Sequence, residues 1–295
     1  MELFTGSGVA LVTPFDENGD VNYSRLREIL EFHVINHTDA IIVTGTTGEG
    51  STLSDEEKIS VIEFTVDIIN SRIPVIAGTG SNDTRHAVEF SKRVEKLGVD
   101  GLLVVTPYYN KGNENGIYEH YKAIAEGVKI PVILYNVPSR TGVNLSIPLL
   151  KRLAQIENIT ALKEASGNIS YVAEVAREIP ELDIYSGNDD MVVPVLSLGG
   201  KGVISVSANI IPDISHDMTA SFLKGDVKKA RELQLKYNDL VNALFLETNP
   251  VPVKEAMNFL GYEVGNCRLP LGAMNESNRA KLTDILTAHE VTGWK

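Results

Sequence analysis

Eight short apolar runs, each followed by an amphipathic stretch of helical period, fill the chain from residue 9 to residue 223. The runs are 9–13, 40–44, 75–78, 102–106, 132–135, 160–163, 183–186 and 203–206. The stretches after them, roughly 23–36, 55–71, 84–97, 116–128, 147–154, 169–178, 190–198 and 214–223, repeat apolar residues at three- and four-residue intervals. Strands that alternate with helices pair in parallel, because each crossover helix brings the chain back to start the next strand in the same direction. Eight such units are the count of a closed α/β (β/α)8 TIM barrel. An open doubly wound sheet is the alternative. The even spacing, and the lack of Gly-x-Gly-x-x-Gly after the first run, argue against it.

The alternation stops at about Lys224. Residues 225–246, 253–260 and 277–289 read as helices only, separated by the Asn249-Pro250 break and a Gly/Pro-containing loop, 265–272. The chain therefore divides into a barrel, 1–224, where any catalysis is expected, and a C-terminal three-helix appendage, 225–295, suited to packing or assembly. A net charge of -12 argues against nucleic acid or an anionic membrane as partner. An anionic substrate must then be held by local cations and backbone N–H groups. The single cysteine, Cys267, provides no disulfide framework and points to a reducing compartment. Met1-Glu2-Leu3-Phe4-Thr5 lacks the basic start of a signal peptide, and no apolar run approaches the ~18 residues of a membrane span. A cytoplasmic protein is expected.

In a barrel the site chemistry collects at the carboxyl ends of the strands. There the chain places Gly45-Thr46-Thr47-Gly48-Glu49-Gly50, Gly78-Thr79-Gly80, Pro107-Tyr108-Tyr109-Asn110, Tyr135-Asn136, Lys163, Ser186-Gly187-Asn188-Asp189 and Ile204-Ser205-Val206. The strand period of two puts Lys163 on one face with Ala161, opposite Thr160 and Leu162. Each group has a plain alternative. The Gly-Thr-Thr-Gly segment is either a strand–helix turn with a threonine cap or an anion site of N–H groups and hydroxyls. Tyr135 is either a rim residue over the barrel mouth or a proton carrier. Arg140, in a Pro/Gly loop, is either solvated or a bidentate grip on a carboxylate. The six histidines lie in helical stretches without metal-ligand spacing, so neither a metal nor another cofactor is expected. No Gly-x-Ser-x-Gly elbow occurs.

Schiff-base chemistry on a 2-oxo acid uses a strand-end lysine, a phenol and a carboxylate cradle together. A desolvated lysine has a lowered pKa, which makes the neutral amine available as a nucleophile. The iminium then acidifies the neighbouring C–H, and a phenol or hydroxyl relay moves the protons.

Gly45-Thr46-Thr47-Gly48-Glu49, Tyr135-Asn136-Val137-Pro138-Ser139-Arg140-Thr141-Gly142 and Leu162-Lys163-Glu164-Ala165 resemble the signatures of the 4-hydroxy-tetrahydrodipicolinate (dihydrodipicolinate) synthase family. That family sits within the N-acetylneuraminate lyase superfamily of pyruvate-dependent class I aldolases. The resemblance spans essentially the whole chain. It implies condensation of pyruvate with L-aspartate 4-semialdehyde on the diaminopimelate route to lysine. It further implies that Lys163 forms the Schiff base and that Tyr135 transfers protons through Thr46 to Tyr109. Thr47 is implied to hold the pyruvate carboxylate, Gly187 and Ile204 to give main-chain contacts, and Arg140 to grip the second substrate. Tyr109 is implied to cross a tight two-fold interface within a homotetramer. In lysine-inhibited relatives a carboxylate stands where this chain has His86 and a histidine where it has Lys58, so weak or absent feedback by lysine is implied. Sialic-acid lyases and sugar-acid aldolases share the lysine and tyrosine but usually lack the arginine. They remain the alternative, beside a barrel that merely senses a keto acid.

Overall fold

The structure, a computed structural model, describes residues 3–293; Met1, Glu2, Trp294 and Lys295 lie outside it. Eight strands, β1 (Gly6–Ala10), β2 (Ala40–Val43), β3 (Val75–Gly78), β4 (Gly101–Val105), β5 (Val132–Asn136), β6 (Ile159–Glu164), β7 (Asp183–Ser186) and β8 (Gly202–Ser205), pair in sequence order. All are parallel, and β8 pairs back onto β1 to close the barrel. Helices α1 (Tyr23–Ile35), α2 (Asp55–Ile69), α3 (Thr84–Glu95), α4 (Glu114–Gly127), α5 (Pro138–Thr141), α6 (Ile147–Leu153), α7 (Ile169–Glu178), α8 (Val192–Ser197) and α9 (Pro212–Leu223) follow the strands.

The pleat sorts the strand residues into two cores. Ile42, Ile76, Leu103, Ile133, Ala161, Tyr185 and Ile204 fill the barrel interior. Ile41, Ala77, Leu102, Leu134 and Leu162 face outward into the layer beneath the helices. Four strands begin earlier than the apolar runs suggest, β1 by three positions and β4, β6 and β8 by one each, and three of them, β1, β4 and β8, open on a glycine. A Cβ on Gly202 would stand 1.8 Å from the Gly6 carbonyl oxygen, so the barrel seam closes only because β8 starts on glycine, while a Cβ on Gly6 would strike the Asp39 carboxylate. Past Ala10 the chain leaves the ladder, and Val12 N–H donates to Asn209 Oδ1 at 3.1 Å.

Beyond the barrel, the first of the three expected helices is broken. It forms α10 (Val227–Lys236) and α11 (Asn238–Ala243), separated at Tyr237, whose φ of −100° and ψ of 8° are not helical. Tyr237 is buried and stacks on the His289 ring at 5.2 Å, a long-range contact invisible to helical periodicity. Helices α12 (Val251–Phe259) and α13 (Glu276–Ala288) complete the chain. Leu240, Leu244, Val253, Met257 and Leu282 join the same outer core as the barrel strands. A buried ion pair adds a polar clamp: Lys254 Nζ of α12 meets Glu49 Oε1, in the loop after β2, at 2.9 Å. Lys254 also donates to the Thr13 and Asn266 carbonyls, and Glu49 Oε2 accepts from Arg268 N–H at 2.8 Å. Among the described residues, no helix is long and apolar enough to cross a membrane.

Candidate active site

One irregularity aligns the central pair. Val132 of β5 is paired with Ile159 of β6, but the next residue, Ile133, is paired with Ala161, so Thr160 is an extra residue in β6. The shift makes Tyr135 the direct neighbour of Lys163. Without it Tyr135 would sit beside Leu162, and Lys163 would fall on the opposite face of the pleat. Lys163 is only 5% exposed, and its Nζ lies 4.4 Å from the centroid of the Tyr135 ring. Burial pushes the Lys163 ammonium down to about 8; Asp189 opposes the shift and Arg140 reinforces it. Burial raises the Tyr135 phenol, while Arg140 and the Thr46 hydroxyl pull it the other way. Tyr135 is therefore protonated near neutrality and can donate.

The ends of β5 and β6 are locked together on their outer side. Asn136 Nδ2 donates to Glu164 Oε2 at 2.7 Å and to Asn144 Oδ1 at 2.8 Å, while Ser166 N–H donates to Glu164 Oε1 at 2.6 Å. These bonds tie the backbone just after Lys163 to the end of β5.

The loop after β2 is curled, with Gly50 N–H bonded to the Gly45 carbonyl at 3.1 Å. A Cβ on Gly50 would lie 2.2 Å from the Thr44 oxygen, so the curl requires glycine there. Neither loop threonine caps a helix. Ser54 caps α2, in a capping box with Glu57. The threonine hydroxyls are thereby left for other work, and Thr47 Oγ1 accepts from Asn249 Nδ2 at 3.0 Å.

A cavity of about 320 Å³ opens above Lys163, walled by Thr47, Tyr135, Arg140, Gly187, Asp189 and Asn249 among others. Arg140, on the short α5, donates from Nη2 to the Asn249 carbonyl at 2.9 Å. Gly187 is required by close approach, since a Cβ there would lie 2.6 Å from the Ala165 Cβ. An adjoining cavity of about 360 Å³ shares Tyr135 and Arg140 and adds Thr46, Tyr108, Lys58 and His86. Thus Lys163, Tyr135, Thr47, Arg140 and Gly187 converge on one space, with Thr46 beside it. Tyr109 stands apart, and Ile204, expected to offer only its main chain, sends its side chain elsewhere. The Ile204 side chain lies within the barrel interior, and Tyr109, at a left-handed φ of 71°, points away and is 90% exposed.

The model of the dihydrodipicolinate synthetase family matches residues 3–289. The chain belongs to this family. Among its members, a 4-hydroxy-tetrahydrodipicolinate synthase of Caldicellulosiruptor bescii is 56% identical over 292 residues, 99% of each chain. One from Acetivibrio thermocellus is 58% identical over 277 residues, 94% of each. The crystal structure of dihydrodipicolinate synthase from Aquifex aeolicus superposes with a TM-score of 0.96 at 45% identity, covering 99% of this chain and 100% of that one.

In this member of the dihydrodipicolinate synthetase family, two cavity residues escape a reading of the motifs alone. Asp189 is buried, accepts from Val206 N–H at 2.9 Å and Ser207 Oγ at 3.1 Å, and faces Lys163 electrostatically. The strand-end segment Ser186-Gly187-Asn188-Asp189 marks its place on the rim, but nothing local marks its carboxylate as buried beside the lysine. Asn249 comes from the appendage, as do Asn242 and Phe245 in the same wall. Its only signal was the Asn-Pro break.

Proposed function

We propose that residues 1–224 form a catalytic barrel and 225–295 a helical part that completes its mouth, together condensing pyruvate with L-aspartate 4-semialdehyde. The reaction is that of the 4-hydroxy-tetrahydrodipicolinate synthases, a lyase activity on the diaminopimelate route to lysine. The observation that carries this reading is a buried lysine with a depressed pKa, packed on a tyrosine ring between Thr47 and Arg140.

The neutral Lys163 amine attacks C2 of pyruvate, and loss of water leaves an iminium. The iminium draws electrons from C3, which loses a proton to become an enamine. The enamine carbon attacks the aldehyde carbon of the second substrate, whose oxygen takes a proton. The substrate's own amine then adds to C2 and expels Lys163 as the ring closes to 4-hydroxy-tetrahydrodipicolinate. Tyr135 supplies and recovers protons, with Thr46 as its relay partner. Thr47 and main-chain groups near Gly187 and Ile204 hold pyruvate, and Arg140 pairs with the carboxylate of L-aspartate 4-semialdehyde. Tyr109 is assigned to the neighbouring subunit's relay, in a homotetramer of tight dimers in the cytoplasm. Its exposure, and its absence from the walls of both cavities of its own subunit, support this.

Feedback by lysine is expected to be weak. Lys58 lines the adjoining cavity as a cation, and Asp55 is engaged by His86 at 2.7 Å and Lys58 at 3.6 Å. Added lysine should leave the rate nearly unchanged. The reading as a whole is tested by assaying the purified protein with pyruvate and L-aspartate 4-semialdehyde against N-acetylneuraminate. Turnover of the sugar acid alone would assign the chain to the sialic-acid lyases.

A further inference from the structure

Asn249 lies between α11 and α12, is 6% exposed and lines the cavity above Lys163. It has two partners through two different groups. Its backbone carbonyl accepts from Arg140 Nη2 at 2.9 Å, and its side-chain Nδ2 donates to Thr47 Oγ1 at 3.0 Å. We propose that Asn249 is a positioning residue for pyruvate, whose amide turns the Thr47 hydroxyl into a dedicated donor for the substrate carboxylate. The inference rests on the assignment of pyruvate to this cavity.

A hydroxyl has one O–H and two lone pairs. An amide N–H entering one lone pair forces the hydroxyl proton to point elsewhere. Thr47 then presents an O–H, the polarity that a carboxylate needs, and cannot spend it on Asn249. The other end of the amide supports this. Asn249 Oδ1 is buried and has no hydrogen-bond partner among the described residues, whereas its N–H is bonded. Its N–H is the half that is used.

The two partners also separate the substrates. Any residue at 249 retains the backbone carbonyl that holds Arg140, whereas only the side chain reaches Thr47. Side-chain substitutions should therefore act on pyruvate and spare the second substrate. Asn249→Asp keeps the shape but can only accept when ionised. It would capture the Thr47 proton and set a charge beside the carboxylate. Asn249→Leu keeps the volume and removes the bond.

The experiment measures KM for each substrate, and the pyruvate concentration giving half-maximal borohydride trapping on Lys163, in the full-length protein and both variants. Melting temperatures are followed in parallel. Asn249→Asp should raise both pyruvate values by about ten- to a hundred-fold, the scale of a charge-assisted hydrogen bond. Asn249→Leu should raise them less. KM for L-aspartate 4-semialdehyde should stay within about two-fold, with kcat at saturating pyruvate largely kept. In a Thr47→Val background, Asn249→Leu should add nothing further, because the two changes remove one interaction. Wild-type trapping on Lys163 combined with unchanged pyruvate dependence in Asn249→Asp would overturn the proposal. So would equal losses for both substrates, which would mark a structural role. A wild-type protein that is not trapped at all would instead remove the pyruvate assignment itself, and this inference with it.

Discussion

The Nζ of Lys163 lies over the face of the Tyr135 ring, 4.4 Å from its centroid. The contact is open to an ammonium, through the ring's negative face, and to a neutral amine, through dispersion. It therefore holds the side chain in place on both sides of its titration. Burial is the largest influence on Lys163, and it disfavours the charged form.

A pH dependence follows with a definite sign. A pKa of about 8 leaves about one Lys163 in ten neutral at pH 7, far more than a lysine with a free pKa of about 10.4 would. The initial rate of pyruvate trapping by borohydride should climb through a midpoint near pH 8 and then level. A midpoint near the free-lysine value would show that the site does not desolvate the amine.

Arg140→Ala should act in two ways. Loss of a charge-assisted bond to the second substrate should lower kcat/KM for L-aspartate 4-semialdehyde by about ten- to a hundred-fold, or roughly 1.5–3 kcal/mol, with pyruvate binding much less affected. Because Arg140 depresses the Lys163 pKa, its removal should also move the trapping profile to higher pH. Equal losses for the two substrates would give Arg140 a role in shaping the mouth instead.

The clamp between α12 and the threonine loop is a stability device. Both partners are almost wholly buried, Lys254 at 2% and Glu49 at 0% side-chain exposure. Lys254→Met strands the Glu49 carboxylate and should destabilise the fold by about 3–5 kcal/mol in chemical denaturation. Adding Glu49→Leu should recover part of that loss. A single variant as stable as wild type would show that the pair contributes nothing measurable.

The sequence exposed the site unevenly. Lys163, Tyr135 and Thr47 were legible because strand period and strand ends fix which face and which rim a residue occupies. The alignment of Tyr135 with Lys163 was not, since it depends on one extra residue, Thr160, that no local propensity marks. The glycine starts of β1 and β8 were hidden because glycine disfavours strands except where backbones must touch. The break at Tyr237 and the inward reach of Asn249 are settled by partners far away in sequence, His289 for one and Thr47 with Arg140 for the other.

Tyr109 is assigned to a neighbour's site, and mixing inactive variants tests this. Lys163→Ala and Tyr109→Phe proteins should each be nearly dead. After subunit exchange, a mixed dimer has one site with an intact lysine and a borrowed intact tyrosine. Random pairing makes half the dimers mixed, with one working site of two, so roughly a quarter of wild-type activity should return. If exchange is demonstrated and no activity appears, Tyr109 does not act across a two-fold interface.

The most direct measurement is mass spectrometry of the protein after incubation with pyruvate and borohydride, followed by peptide mapping. A single reduced pyruvate adduct on Lys163, absent from Lys163→Ala, is expected. An unmodified protein, or an adduct on another lysine such as Lys111 or Lys201, would contradict the Schiff-base mechanism.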